Sequence, residues 1–165
     1  MSMISPTYGQ VDDNRILEIL LNFYNNNKDL GSEFELTVGT DSQNFSYTKV
    51  VKVLAMRCVG HGGIYFYEVT HIDRIQDVRM KLNYETNESL KLANNLLQKI
   101  ENDPKYSELI LNTNFAIHVD AGTSSIGKTK DLIPSLVGWI HSMGYDCVVK
   151  PDSYTSSSIA DKISK

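Results

Sequence analysis

The sequence is poor in the features that mark secreted, membrane-spanning and zinc-thiolate proteins. Only Cys58 and Cys147 are present among 165 residues, and they form no C-x-x-C pair, so we expect neither a disulfide framework nor a thiolate zinc site. No apolar run approaches the roughly 18 residues that cross a bilayer. The first residues, MSMISPTYGQVDD, lack the basic start and apolar stretch of a signal peptide. We therefore expect a reduced, cytoplasmic protein with no membrane partner.

Positive charge is also scarce. The chain has 16 Lys and Arg residues against 20 Asp and Glu residues, with a net charge of -4 and a pI near 5.5. It therefore has no overall basic field, and contact with nucleic acid would need a local patch or bridging cations. The hydrophobic content of 41% and charged content of 22% are those of an ordinary globular protein. We expect one domain over residues 1–165, with residues 1–30 as an N-terminal helical extension.

Hydrophobic periodicity predicts a mixed α/β protein. The order is one helix followed by β-β-β-α-β-α-β-α, which favours a mixed five-stranded sheet of three antiparallel strands and two βα units, with helices on both faces. The predicted helices are 13–24, 76–101, 130–143 and 156–164, and the predicted strands are 34–40, 48–59, 64–72, 114–119 and 145–149.

Two aspartates stand at the predicted ends of strands. In residues 34–41 the apolar residues alternate on one face, and Asp41 falls in the opposite phase where the strand is expected to stop. Asp120 has the same place in residues 115–120. Parallel neighbouring strands would bring the two carboxylates together, and such a pair requires a divalent cation or a raised pKa. The alternative is that each aspartate only begins a turn.

The predicted long helix supplies a third carboxylate. Glu85 lies in the otherwise largely apolar stripe that faces the sheet, where a glutamate is costly unless it meets a metal, a proton or a partner. Glu88 lies about 60° away around the helix, toward a side that is expected to face solvent. We therefore prefer Glu85 to Glu88. The other interpretation is a boundary glutamate whose carboxylate extends into water.

The C-terminal segment KPDSYTSSSIADK offers two more aspartates. Asp161 lies on the predicted last helix, whereas Asp152 follows a proline in an expected turn. His118 shares the phase of Asp120 and could border the same site. Four lysines could form a cationic rim that binds substrate phosphates: Lys128, Lys150, Lys162 and Lys165.

One loop also matches a nucleotide-binding pattern. Gly122–Thr129 fits G-x-x-x-x-G-K-[ST], but only 36 residues follow it, and Asp120 would place negative charge beside the phosphates of ATP or GTP. Asp120-Ala121-Gly122-Thr123 also matches the phosphate turn of actin-like and sugar-kinase proteins. Those proteins bind nucleotide between two domains, and this chain has the length of one.

Four segments resemble, in chain order, the YkuK-like family: VGTDSQ, RMKLNYETNESLKLA, IHVDAG and KPDSYTSSSIADK. This family of uncharacterised bacterial and phage proteins belongs to the ribonuclease H-like superfamily, whose order of elements matches the predicted one. The resemblance covers residues 34–165. It implies that Asp41, Glu85 and Asp120 bind Mg²⁺ or Mn²⁺, at most two ions, and that Asp161 is a fourth ligand with Asp152 as its rival.

The resemblance also implies an activity. These four residues would be the catalytic residues of a metal-dependent nuclease or phosphodiesterase acting on RNA or DNA. The chain has Asp41-Ser42-Gln43 where well-studied ribonucleases H have Asp-Gly-Ser, so the kind of nucleic acid is not implied. In this family Gly127-Lys128-Thr129 is ordinary loop sequence. The alternative function is a non-catalytic binding or regulatory protein that keeps the fold.

Overall fold

The computed structural model describes residues 2–122 and 130–165, and within them seven strands form one mixed sheet. The strands are β1 (Ser2–Ser5), β2 (Gly9–Asp12), β3 (Phe34–Asn44), β4 (Thr48–Cys58), β5 (Gly63–Ile72), β6 (Asn114–Gly122) and β7 (Asp146–Lys150). Their order across the sheet is β2-β1-β5-β4-β3-β6-β7. Strands β3, β4 and β5 pair antiparallel, whereas β6 is parallel to both β3 and β7.

Helices cover both faces of this sheet. They are α1 (Asp13–Asn27), α2 (Val78–Glu101), α3 (Glu108–Leu111), α4 (Ile133–Ser142) and α5 (Asp161–Ser164). A π-helical turn, Thr155–Ala160, leads into α5. The two longest helices begin at aspartate caps: Asp12 accepts a hydrogen bond from the Arg15 amide at 2.9 Å, and Asp77 accepts one from the Met80 amide at 3.1 Å. In the described part of the chain, no helix combines the length and apolar character needed to cross a membrane.

Alternation along the strands divides the protein into two cores. Leu36, Val38 and Ile117 are fully buried in the larger core, on the face of the sheet that packs against α1, α2 and α4. Residues of the opposite phase form a smaller core with the C-terminal segment, which we define as residues 150–165. This smaller core contains Val51, Val53, Ala55 and Ala160.

The predicted α/β class with helices on both faces is confirmed, but the count of five strands was wrong. The first twelve residues contain the hairpin β1–β2, which extends the sheet where Ile4 pairs with Tyr67 of β5. The hairpin was missed because each strand has only four residues and depends on the edge of β5 for its pairing. The predicted first helix is present as α1, and the hairpin β4–β5 follows the predicted boundaries closely.

Gly39 makes possible a close approach of the C-terminal segment to β3. A Cβ atom at this position would lie 2.8 Å from the backbone nitrogen of Ser156. We expect Gly39→Ala to destabilise the protein by about 1–3 kcal/mol, because the backbone of the π-helical turn must move. Urea unfolding measures this effect.

The matched control is Gly138→Ala in α4, where an added Cβ meets nothing within 4 Å. This substitution is expected to stabilise the protein by about 0.5–1 kcal/mol, since alanine favours a helix interior over glycine. If both variants unfold at the same urea concentration, the close approach at Gly39 is refuted.

Candidate functional site

Asp41 and Asp120 lie on neighbouring parallel strands, on the face covered by the C-terminal segment. The regular pairing of β3 with β6 runs from Glu35–Asn114 to Gly39–His118 and ends there. The two aspartates come two residues later on their strands, so they share a phase and a position. Burial raises the pKa of Asp41 to about 7, and the charge of the nearby Asp120 contributes to this rise.

The position of Asp41 was only partly predicted. Its phase is as expected, but the expectation that β3 stops there was wrong. The strand continues to Asn44, because β4 pairs with it as far as Asn44–Thr48. At Asp41, β3 still pairs with β4, but its parallel pairing with β6 has already ended at Gly39.

Glu85 approaches this point from the helix side of the sheet. Its side chain is buried, with 7% of the residue exposed, and its Oε1 accepts a hydrogen bond of 2.6 Å from the Ser42 hydroxyl. Glu85 and Asp120 both border a small gap between α2 and β6. Burial raises the pKa of Glu85 to about 8, and the charges of Asp41 and Asp120 raise it further than burial alone. We call Asp41, Glu85 and Asp120 the carboxylate cluster.

Glu88 has a different environment from Glu85. The expectation that it faces solvent was wrong, because only 9% of the residue is exposed. Its carboxylate forms ion pairs with Lys52 of β4 at 3.3 Å and with Lys91 at 3.2 Å. Lys52 extends from the sheet toward α2 and compensates the charge. The charge of Glu88 is therefore neutralised by two lysines. Glu85 differs, because the charges that act on it are those of Asp41, Lys81 and Asp120, and two of these are carboxylates.

The C-terminal segment supplies the polar partners of the two strand aspartates. The Ser164 hydroxyl donates to Oδ2 of Asp41 at 2.8 Å, and the Ser157 hydroxyl donates to Oδ1 of Asp120 at 2.8 Å. Lys150 forms an ion pair with the same oxygen of Asp120 at 2.9 Å. Sequence reasoning missed both serines. Ser157 lies in the serine-rich stretch SYTSSS, which was the available clue, whereas Ser164 lies outside it.

The two rival aspartates of this segment lie in different places. Asp161 is in α5, where it pairs with Lys165 at 2.9 Å, and its charge contributes to the raised pKa of Asp41. Asp152 is exposed and borders a separate cavity of about 580 Å³. The fold therefore brings Asp161, and not Asp152, toward the carboxylate cluster.

His118 borders both the gap next to Glu85 and the separate cavity next to Asp152, and its side chain contacts the C-terminal segment. Its Nδ1 accepts a hydrogen bond from the Thr155 amide at 3.2 Å, and its ring meets the Tyr154 ring edge-on at 4.7 Å. Burial lowers the pKa of His118 to about 4. The imidazole is therefore neutral at pH 7, and it fixes the start of the π-helical turn on β6.

The lysines that were predicted to bind substrate phosphates lie in different surroundings. Lys150 contacts the cluster through Asp120, whereas Lys162 lies exposed on α5. Lys128 and the nucleotide-loop pattern from Thr123 to Thr129 lie outside the described residues.

The donor atoms of the cluster are hard oxygens, the type that Mg²⁺ and Mn²⁺ prefer. As the side chains stand in residues 2–122 and 130–165, no group of three or more His, Cys, Asp or Glu residues is arranged to hold a metal ion. The reason is visible in the contacts: Asp41, Glu85 and Asp120 each face a serine hydroxyl, and Asp120 also faces Lys150. The residues that could hold a cation are the three members of the cluster, with Asp161 beside them.

The mixed sheet carries two aspartates on adjacent parallel strands, and α2 adds a glutamate. Comparison of the sequence with known families identifies the class of protein to which this arrangement belongs. A sequence model of the family described as Ribonuclease H-like matches residues 15–165, and the chain belongs to this family. It is 35% identical over 147 residues to the uncharacterized protein YkuK of Bacillus subtilis (strain 168), covering 84% of this chain and 83% of that protein. The resemblance to the YkuK-like family is thereby confirmed. No solved structure gives a significant match.

Proposed function

We propose that this chain is a divalent-metal-dependent phosphodiesterase that hydrolyses nucleic acid. The observation that carries the proposal is the carboxylate cluster, in which three acidic side chains approach the point where β3 and β6 stop pairing. The charge of Asp120 raises the pKa of both Asp41 and Glu85. Membership of the Ribonuclease H-like family supports a nuclease-type fold around this cluster.

The donor set fits a divalent cation on chemical grounds. Lys150 and Lys81 offset part of the negative charge of these carboxylates, but burial and mutual repulsion still raise the pKa of Asp41 and Glu85, and a cation bound among them would offset that repulsion. Lys150 forms an ion pair with Asp120 at 2.9 Å. In the proposal Lys150, Ser157 and Ser164 release the aspartates when Mg²⁺ or Mn²⁺ binds. At most two ions are expected, with Asp161 as the fourth ligand.

Each residue of the cluster has a defined part in the proposed reaction. Bound divalent cations in such a site activate water and stabilise the leaving oxygen of a phosphodiester. Asp41 and Asp120 project from adjacent strands and would hold the cation that binds the substrate phosphate. Glu85 would supply a third carboxylate ligand from α2, and the hydrogen bond from the Ser42 hydroxyl fixes the orientation of its side chain. Lys150, once released from Asp120, would contact a substrate phosphate, and Lys162 and Lys128 are the further candidates for such contacts, with Lys128 outside the described residues.

Asp41→Asn is expected to abolish hydrolysis, because it removes a charged ligand while keeping the size of the side chain. The test compares wild type and variant on RNA, an RNA–DNA hybrid, single-stranded DNA and branched DNA in the presence of Mn²⁺. We expect a rate loss of about 100-fold or more on whichever substrate the wild type cleaves. Equal rates for the two proteins would refute the assignment.

A specific observation supports a second candidate, a non-catalytic binding protein that retains the fold. Each carboxylate of the cluster already has a partner within the protein, and Asp120 has two. A protein that never binds metal could keep such contacts permanently. The two candidates differ in metal affinity, because this second one predicts no saturable binding of Mg²⁺ or Mn²⁺ at millimolar concentration.

A further inference from the structure

We propose that the turn between β3 and β4 binds a single-stranded segment of nucleic acid by stacking unpaired bases on its aromatic side chains. We define Phe45–Tyr47 as the β3–β4 tip. The identity of the ligand rests on the proposed function, since Asp41 of the carboxylate cluster lies about 10 Å along β3 from the end of the strand that leads into the tip. The stacking site itself is inferred from the rings, the cations and their positions.

The tip presents an aromatic surface to solvent. Phe45 is 43% exposed and Tyr47 is 37% exposed, so both rings are accessible to a ligand in solvent. Their ring centroids are 5.5 Å apart, and the Tyr47 ring lies 4.7 Å from the ring of His71 on β5. Three adjacent rings therefore form a short row at one end of the sheet. Successive bases of a single strand stack on rows of this kind.

Two cationic residues adjoin this row in a protein whose net charge is negative: Arg74, and Lys49, which pairs with His71 across β4 and β5. The Arg74 guanidinium donates a hydrogen bond of 2.8 Å to the carbonyl oxygen of Phe45 and therefore lies beside the tip. The Lys49 ammonium donates to the Ile163 carbonyl of α5 at 2.6 Å. Asp73 is the acidic residue next to Arg74 in sequence. Stacking rings bordered by cations form the combination that binds single strands without sequence preference.

The row lies on the same side of the sheet as Asp41 and at the same end of β3. Asp41 is three residues before the end of β3, about 10 Å along the strand, and the tip follows directly. Lys49 connects the two places, because it follows the tip on β4 and its partner Ile163 precedes Ser164, which bonds to Asp41. A strand of a few nucleotides would span from the rings to the cluster.

The chemistry favours a single strand over a duplex. Stacking on a protein ring requires an unpaired base, and paired bases present only their edges in the grooves. The net charge of -4 gives the protein no overall basic field of the kind that duplex binding uses. The ligand class is therefore single-stranded DNA or RNA, or an unpaired end or loop.

The test measures binding separately from cleavage. Fluorescence anisotropy with labelled 12-nucleotide DNA and RNA strands, and with the matching duplex, is recorded at low salt in EDTA, where no metal-dependent hydrolysis occurs. We compare wild type with the double variant Phe45→Ala and Tyr47→Ala. The matched control is Tyr8→Ala, since Tyr8 is 52% exposed and has the Arg15 guanidinium over its ring at 5.4 Å, but lies in the β1–β2 hairpin beside Gly63 at the start of β5, whereas His71 and the tip lie at the other end of β5.

We expect the double variant to bind single strands about tenfold or more weakly, with no change in thermal stability and no change for Tyr8→Ala. If the double variant and Tyr8→Ala bind single strands as wild type does, or if wild type shows no binding, the proposal is overturned. The hydrolysis assay is run on the same strands with Mn²⁺. If wild type binds single strands through the rings but does not hydrolyse them, the stacking site stands and the proposed function is refuted. If wild type hydrolyses the strands but the double variant binds them equally well, the proposed function stands and the stacking site is refuted.

Discussion

Glu85→Gln is expected to raise the free energy of unfolding of the metal-free protein at pH 9, and the gain is expected to shrink as the pH falls toward 6.5. At high pH the folded wild type must hold a charged carboxylate in a buried place beside Asp41 and Asp120. Glutamine has nearly the same shape, and its side-chain oxygen can still accept the hydrogen bond from Ser42. The substitution therefore removes the charge and leaves the packing intact.

The sign follows from the raised pKa. Glu85 has a pKa of about 8 in the folded protein against 4.5 in a model peptide, so between these values the folded state binds more protons than the unfolded state. The stability of the wild type consequently falls as the pH rises through this window. Asp41 also makes the wild type less stable as the pH rises, because its pKa is about 7 in the folded protein against 3.8 in a model peptide. For Glu85 the effect is on the order of a few kcal/mol, since a tenfold change in proton affinity corresponds to about 1.4 kcal/mol.

Urea unfolding in EDTA between pH 6.5 and pH 9 measures this effect. The lower limit avoids His118, whose pKa of about 4 acts in the opposite direction as the pH falls below 6.5. Glu88→Gln is the matched control from the same helix. It removes the carboxylate charge that pairs with Lys91 and one of the two that pair with Lys52, the other being Glu68, so we expect it to destabilise the protein at pH 9. Parallel stability curves for wild type and Glu85→Gln would contradict the description of the cluster.

Mn²⁺ is expected to stabilise the wild type strongly at pH 8. A ligand that binds only the folded state adds about 2.7 kcal/mol when its concentration is 100 times its dissociation constant. Binding must also displace protons from Asp41 and Glu85, so the stabilisation at a fixed Mn²⁺ concentration should decline as the pH falls toward 5. Thermal unfolding with and without millimolar Mn²⁺ at the two pH values measures both effects.

Two variants separate site binding from a general salt effect. Asp41→Asn should remove most of the stabilisation by Mn²⁺, because it takes a ligand from the cluster. Glu88→Gln should keep the stabilisation, because Glu88 pairs with lysines outside the cluster. The same rise in melting temperature for wild type and Asp41→Asn would show that Mn²⁺ acts elsewhere.

Much of the site followed from the sequence because strand phase and helix phase are local properties. Alternation placed Asp41 and Asp120 on one face, and the stripe of α2 distinguished Glu85. The parallel pairing of β3 with β6 then followed from the order of the elements. These features need only neighbouring residues and general topology, and the structure has them as predicted.

The features that were missed depend on contacts between distant residues. Ser164 bonds to Asp41 across 123 positions, and Ser157 bonds to Asp120 across 37, so no local pattern indicates either pair. Glu88 was expected in solvent because helix phase does not reveal Lys52, which extends toward it from the sheet. The continuation of β3 beyond Asp41 likewise depends on its partner β4.

The central claim is that Asp41, Glu85 and Asp120 together bind a divalent cation. Calorimetric titration of Mn²⁺ into wild type and Asp41→Asn at pH 7, in two buffers of different ionisation enthalpy, tests it most directly. We expect saturable binding by wild type with release of about one proton or more, since Asp41 and Glu85 have pKa values of about 7 and about 8. We expect no such binding by Asp41→Asn. Absence of binding by wild type at millimolar Mn²⁺, or equal binding by the two proteins, would contradict it.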